Sequence, residues 1–98
     1  MNPMQQMMMQ AQRMQRELAK AHAEIDEQVF EVKKAGIVEV SVKGNRQVVG
    51  ITIDEAALNP DDKDMIEDTI MMAINEAMEQ IQAAHDAADE RITGQAKR

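Results

Sequence analysis

The sequence predicts an α+β protein in which a three-stranded antiparallel meander lies between two long amphipathic helices, in the order α-β-β-β-α. Apolar residues recur at alternating steps of three and four near both ends of the chain, and at every second position in its middle. With 98 residues and one aromatic residue, Phe30, the chain can bury only a small core by itself. We therefore expect a single domain, residues 1–98, built from long packed helices or from a core shared between subunits.

The first helix is predicted over residues 3–27, because Pro3 suits the first helical position and a heptad seam follows it. The seam consists of Met4, Met7, Ala11, Met14, Leu18, Ala21 and Ile25. Thioether side chains fill irregular contacts between helices well, so the abundant methionines indicate a partner helix. The alternative is a Cu(I) site, but the chain has no cysteine and no histidine close to these methionines.

The middle of the chain has the alternating apolar pattern of strands, separated by residues that favour turns. The predicted strands cover about residues 28–34, 37–43 and 47–53. Gly36 and the pair Gly44-Asn45 tolerate positive φ at the two turns, and Asn45-Arg46 is expected to form a two-residue loop. The cross-strand pairs that follow from this loop are Val42/Val49, Val40/Ile51 and Val38/Ile53. All three strands would then present their apolar side chains on one face of the sheet.

The last helix is predicted over residues 60–92, and a short turn capped by Asp54 precedes it. Asn59 can cap this helix, Pro60 suits its first position, and the helix dipole favours the carboxylates that follow. This position explains the acidic cluster at 61–68 more simply than a metal or acid/base site does. The helix has an apolar seam composed of Ile66, Ile70, Ala73, Ala77, Ile81, Ala84 and Ala88.

The two predicted helices are longer than the sheet that they would cover together. Each helix would extend roughly 35 Å or more, whereas a six-residue strand spans about 20 Å. The protruding parts of both seams therefore need another apolar surface, and a second copy of the chain is the simplest source. We predict a homodimer whose interface includes Met7, Met14, Leu18 and Ile25.

The net charge of −7 comes almost entirely from residues 54–92, and the basic residues are clustered elsewhere. Arg13, Arg16 and Lys20 lie opposite the apolar seam of the first helix and could contact phosphates. The full set of DNA-binding candidates is Arg13, Arg16, Lys20, Lys43, Arg46 and Arg91. A solvated face without a ligand explains the first-helix stripe at least as well, and Glu17 and Glu24 could pair with it at i,i+4.

Catalytic and cofactor chemistry finds little support in the sequence. Ser41 is the only serine and lies in the middle of a strand, and the four glycines form no phosphate-binding loop. His22, His85 and Asp89 are interpreted as surface residues rather than metal ligands. No apolar run is long enough to span a membrane, and no signal segment is present. We expect a cytoplasmic protein that is not an enzyme and that uses no cofactor, metal or small-molecule substrate.

The stretch ITIDEAALNPDDKDMIEDTIMMAINEA resembles the YbaB/EbfC family of bacterial nucleoid-associated proteins, and AQRMQRELAK and GIVEVSVKGN support the resemblance. MNPMQQMMM stands in place of that family's Gly-rich leader. The resemblance implies an intertwined homodimer with helices projecting like the arms of tweezers. It also implies binding to duplex DNA in the nucleoid with loose sequence preference, with the basic first-helix positions falling on Arg13, Arg16 and Lys20. The alternative is a homodimeric adaptor that binds proteins and does not touch DNA.

Overall fold

The computed structural model describes residues 2–94; Met1 and the closing residues 95–98 lie outside this range. Its main elements are α1 (Pro3–Glu27), β1 (Val29–Lys34), β2 (Val38–Lys43), β3 (Val48–Ile53) and α2 (Lys63–Thr93). Two short 3-10 turns, Glu55–Ala57 and Pro60–Asp62, connect β3 to α2. The strands form one antiparallel sheet in the order β1-β2-β3. The α-β-β-β-α class predicted from the sequence is confirmed.

Helix α1 begins and ends where its local sequence supplies the necessary hydrogen bonds. The Asn2 side chain accepts a hydrogen bond from the Gln5 backbone N–H at 2.8 Å, and Pro3 occupies the first helical position. At the other end, the extended backbone of Gln28 stops the helix and its N–H donates to the Ile25 carbonyl at 3.0 Å. The chain then passes directly into β1.

Helix α2 begins three residues later than the sequence pattern predicts. The Asn59 side chain does act as a cap, accepting from the Asp61 N–H at 3.0 Å, but it caps the 3-10 turn and the α-helix starts at Lys63. Gly94 ends α2 in the left-handed region, with φ of 70° and an N–H that donates to the Glu90 carbonyl at 2.9 Å. The helix is therefore closed at its C-terminal end by the residue type best suited to that conformation.

The main core lies between α2 and the first two strands. The buried residues of this core are Val32, Val38 and Val40, together with Val42, Ala73, Ala77 and Ile81. The alanines on α2 allow the helix to approach the strands closely, and Ile81 fills the largest fully buried position. Burying one such side chain stabilises the fold by roughly 1.5–3 kcal/mol.

Helix α1 packs on the C-terminal part of α2 instead of on the sheet. Ala21 and Ile25 contact Ala88, and the partly buried Phe30 contacts both this cluster and the main core. The expectation that both helices cover the sheet is therefore wrong, because α2 packs over β1 and β2 while α1 packs on α2. Residues 3–17 of α1, which we call the arm, are all exposed, and Met4 has 71% of its surface accessible.

The register between β2 and β3 matches the prediction over most of its length. Val38 pairs with Ile53 and Val40 with Ile51, which confirms two of the three predicted pairs. The third pair is wrong, because Val42 lies opposite Val48. Since Ser41 pairs with Gly50, Val49 is the extra residue of a β-bulge.

The bulge compensates for a loop that is one residue longer than expected. The Lys43 N–H donates to the Gln47 carbonyl at 2.9 Å, so three residues separate the paired positions. Arg46, not Asn45, has positive φ, at 72°, while the Asn45 side chain accepts from the Gln47 N–H. At the β1–β2 turn, Gly36 does have the positive φ that the sequence predicts.

One apolar surface of the sheet is left uncovered. Val40 is fully buried under α2, whereas Ile51, its partner on the same face, is 46% exposed. The difference arises because α2 packs over β1 and β2. We call Val48, Val49 and Ile51 the β3 strip; each of them is exposed.

Gly44 packs the β2–β3 loop tightly against the end of α1. Its N–H donates to the Gln28 carbonyl at 2.9 Å. A Cβ at this position would lie 1.8 Å from the Ile25 carbonyl oxygen, so no side chain fits without a backbone shift. Gly44 thus joins the sheet to the junction between α1 and β1.

Replacing Gly44 with alanine should lower the free energy of unfolding by about 2 kcal/mol or more, because the new methyl group meets backbone atoms that cannot move independently. Gly50→Ala is the matched control, since a Cβ there would lie 3.8 Å from Ser41 Cβ, an ordinary contact. Urea unfolding followed by circular dichroism measures both variants. Equal stability of the two would show that the loop can move away from α1 at little cost.

Candidate nucleic-acid interface

The arm carries two cations that point into solvent. Arg13 and Arg16 are exposed, and residues 2–16 contain no carboxylate. Lys20, also exposed, lies one turn further along α1, close to the point where the helix reaches α2. These three side chains form the stripe that the sequence predicts opposite the apolar seam.

The competing ion pairs considered from the sequence are not formed. Within residues 2–94, neither Glu17 nor Glu24 lies within 4.0 Å of a basic side chain. Arg13, Arg16 and Lys20 likewise have no carboxylate partner in this part of the chain. Their charges are therefore available to an external anion.

The structure brings Lys20 and Arg91 to the same groove, although 70 residues lie between them in the sequence. The groove runs between α1 and the last turns of α2 and has a volume of about 300 Å³. Glu17 and Glu24 also line it. Because both signs of charge are present, this groove is a less favourable place for a phosphate than the arm itself.

Two other sequence candidates, Lys43 and Arg46, are held against the body of the protein. Lys43 Nζ lies 3.0 Å from Glu27 Oε2, and Arg46 Nη2 donates to Gln82 Oε1 at 2.6 Å. The Lys43 charge is thus partly compensated, while the Arg46 guanidinium retains its full charge and further donors. These residues lie at the loop between β2 and β3, away from the arm.

The acidic residues are concentrated on and before α2. Among residues 2–94, no group of three or more His, Asp or Glu side chains is arranged to hold a metal ion. Within the same range, no helix is both long enough and apolar enough to cross a membrane. Asp61 and Asp62 lie in the turn before α2 and Asp64 lies in its first turn, where the helix dipole favours negative charge; the Asp62 side chain makes no capping hydrogen bond.

The four residues predicted for a dimer interface differ in their surroundings. Met7 and Met14 are exposed on the arm and Leu18 is half-buried, whereas Ile25 is already covered by its own chain. The β3 strip is a further interface candidate, which the alternating sequence pattern of β3 does not distinguish from a buried strand. One helix is about 10 Å wide, whereas three strands spaced nearly 5 Å apart form a wider surface, so one helix leaves a strand uncovered. These dimensions are the signal in the sequence that points to the exposed β3 strip.

The interpretation of His22 and His85 as separate surface residues is wrong. Their rings stack with centroids 4.7 Å apart where α1 crosses α2, and the His85 side chain is only 12% exposed. No local pattern signals this contact, because 62 residues separate the two histidines and only the packing of the helices brings them together.

The structure combines an antiparallel meander under one helix with a second helix whose arginines have no carboxylate partner within residues 2–94. The chain belongs to the YbaB/EbfC DNA-binding family, whose model matches residues 1–96.

Individual relatives agree with this assignment. A nucleoid-associated protein of Mycoplasmopsis pulmonis is 39% identical over 87 residues, covering 89% of this chain and 86% of the relative. One from Agathobacter rectalis is 38% identical over 92 residues, covering 93% and 81%. The crystal structure of uncharacterized protein HP0035 from Helicobacter pylori matches with a TM-score of 0.74 at 20% identity, covering 95% of this chain and 98% of that one. The structural match shows a shared fold.

Proposed function

We propose that this protein is a homodimeric nucleoid-associated protein of the cytoplasm that binds duplex DNA with low sequence specificity. The observation that carries the proposal is the arm, whose arginines have no carboxylate partner among residues 2–94. Family membership and the names of the relatives support the same role. Binding would alter the conformation of the DNA and thereby influence gene expression.

The side chains available on the arm favour contacts with phosphates over contacts with bases. Guanidinium and ammonium groups bind phosphate oxygens on any sequence, and such contacts position a protein without reading bases. The chain has one aromatic residue, Phe30, which is partly buried between the two clusters, so it offers no platform for stacking bases. A protein whose exposed binding groups are cations that contact phosphates is expected to have a loose sequence preference.

The negative net charge is compatible with DNA binding because the charges are separated in space. Arg13 lies about 12 Å along α1 from Ala21, where the helix meets α2. The Debye length at 0.1 M salt is about 10 Å, so the acidic residues of α2 are largely screened from the arm. The same acidic residues repel DNA from the rest of the surface, which directs it to the arms.

A second copy of the chain would cover the apolar surfaces that one copy leaves exposed. These surfaces are the β3 strip and the methionine side of the arm, where Met7 is 68% exposed. A two-fold axis would duplicate the basic stripe and place six cations on two arms. The dimer would thereby offer twice as many phosphate contacts to duplex DNA as a single chain, which raises its affinity for DNA.

The salt dependence of binding to random-sequence duplexes tests the arm. If six cations neutralise phosphates, the slope of log affinity against log salt approaches about −5, and Arg13→Glu/Arg16→Glu should reduce it to about −2. Affinity should fall on all duplexes alike, because phosphate contacts carry no sequence information. A gel-shift series at several salt concentrations measures both quantities.

The matched control is Lys33→Glu/Lys63→Glu, which changes the net charge equally but lies on β1 and at the start of α2. Lys33 is exposed, and Lys63 has only a weak i,i+4 pair with Glu67 at 3.4 Å. We expect this variant to retain the slope of the natural protein. If the control abolishes binding and the arm variant leaves affinity and slope unchanged, DNA is held elsewhere.

Sedimentation at micromolar concentration should give about twice the chain mass of 11.0 kDa. Ile51→Asp and Leu18→Asp should each shift the protein toward monomer, because an unpaired charge would enter an apolar contact. Thr52→Asp is the control, since Thr52 neighbours Ile51 but alternates to the opposite face of β3. A monomeric natural protein with full helicity would contradict the dimer.

A protein-binding adaptor is the second candidate, and the surface of α2 favours it. Met71 and Met72 are exposed on this acidic helix, and Leu58 lines a cavity of about 390 Å³ beside its start. Flexible methionines next to carboxylates suit a basic, amphipathic protein segment. A stable dimer that fails to shift duplex DNA even at low salt would favour this role.

A further inference from the structure

A compact polar cluster ties α1 to α2 and to the β2–β3 loop. His22 Nδ1 contacts His85 Nδ1 directly, and His22 Nε2 lies 2.6 Å from Asp89 Oδ1. His85 Nε2 lies 3.2 Å from the Gly44 carbonyl oxygen and 3.5 Å from Asp26 Oδ1. All four ring nitrogens therefore face a specific partner.

The chemistry of these partners fixes the number of protons that the cluster needs. A carboxylate and a carbonyl can only accept, so both Nε2 atoms must carry a proton and donate. The contact between the two Nδ1 atoms is a hydrogen bond only if one of them carries a proton and the other does not. The complete network thus contains three N–H groups on two rings, which is one more than two neutral imidazoles possess.

We propose that His22 and His85 form a proton-sharing lock, an imidazole–imidazolium pair that holds the root of the arm and is complete only when the pair carries a single positive charge. Two neutral rings carry two protons for three contacts, so either Asp89 or Gly44 loses its donor, or the two Nδ1 atoms face each other without a proton. Two charged rings place one N–H against the other and leave no acceptor between them. Only the intermediate state satisfies every contact.

The surroundings of the pair determine which protonation states are tolerated. Asp26 on α1 and Asp89 on α2 supply negative charge at either end, while the loop contributes the neutral Gly44 carbonyl. Nearby, Glu27 is paired with Lys43. The two aspartates stabilise the single charge, and they reduce the repulsion between two charged rings without supplying the missing acceptor.

Gly44 holds the end of α1 through the Gln28 carbonyl, but the apolar contact between α1 and α2 is small, and the lock adds to it. The apolar contact there involves only two small alanines, Ala21 and Ala88, with Ile25 and the partly buried side chains around them. Small side chains bury little area, so the polar cluster contributes a large share of the contact between the helices. Loss of the lock would therefore loosen the arm before it unfolds the sheet.

The proposed pair holds three protons, which is one more than two neutral rings carry and one fewer than two charged rings carry. Loss of one proton and gain of one proton therefore each break a contact of the cluster. The lock is expected to open on either side of the state with a single charge.

Nitrogen-15 NMR of the histidine rings in the full-length natural protein tests the proton count directly. We expect the two rings to titrate in two separate steps, with three ring protons shared between them at intermediate pH. Two independent one-step titrations, each resembling that of a free histidine, would overturn the proposal. This measurement involves no variant and no DNA, so its outcome does not depend on the proposed function.

Spin labels measure the consequence for the arm. The chain has no cysteine, so Gln12→Cys and Glu79→Cys give one label on the arm and one on α2. In dimers diluted with unlabelled chain, the distance distribution should be narrow at the pH where the two rings share three protons, and should broaden at least two-fold where they hold two or four. His22→Gln/His85→Gln should be broad at every pH. An equally narrow distribution throughout, in both proteins, would show that the pair does not hold the arm.

Discussion

The contact between α2 and the strands β1 and β2 is the interaction on which the rest of the structure depends. It buries the apolar face of the sheet over β1 and β2, and it places the C-terminal part of α2 where α1 can reach it. That protruding part is the surface on which α1 packs. The position of α1, and therefore of every cation on the arm, depends on this part of α2 together with the contact that Gly44 makes at the end of α1.

This arrangement divides the molecule into regions with different charge. The arm has arginines and methionines but no carboxylates up to Arg16, whereas α2 and the turns before it carry most of the acidic residues. A uniform distribution of the same residues would give a surface that repels DNA everywhere. The acidic and basic residues lie on two helices that meet only near the C-terminal end of α1. The chain can therefore have a negative net charge and still have a basic arm.

The class of fold could be predicted from the sequence because helix and strand periodicities are local properties. Most of the sheet register could be predicted for the same reason, since Val38/Ile53 and Val40/Ile51 follow from alternation alone. The bulge at Val49 could not, because it depends on whether Asn45 or Arg46 takes the positive φ of the loop. Both residues tolerate a turn, and the choice is made by hydrogen bonds to Lys43 and Gln47.

The basic stripe on α1 was predictable because a heptad pattern assigns each residue to a side of the helix. Its freedom from ion pairs was not, since Glu17 and Glu24 have the spacing that favours pairing but are not placed to use it. The stacking of His22 on His85 was equally hidden, because it requires knowledge of where two distant helices cross. Contacts between elements are the part of the site that sequence patterns leave undetermined.

Helix α1 is attached at its C-terminal end, so any tilt of the arm is a rotation about the contact at Ala21. The segment from Pro3 to Leu18 is about 24 Å long, so a tilt of roughly 10° at the root moves the tip by about 4 Å. Successive phosphates along one DNA strand are separated by about 3.4 Å of helix axis. A small rotation where Ala21 meets Ala88 is thus amplified into a displacement of about one nucleotide at the tip. In the proposed dimer, such rotations would let the span between the two arms adjust to the width of a duplex without any change in the sheet.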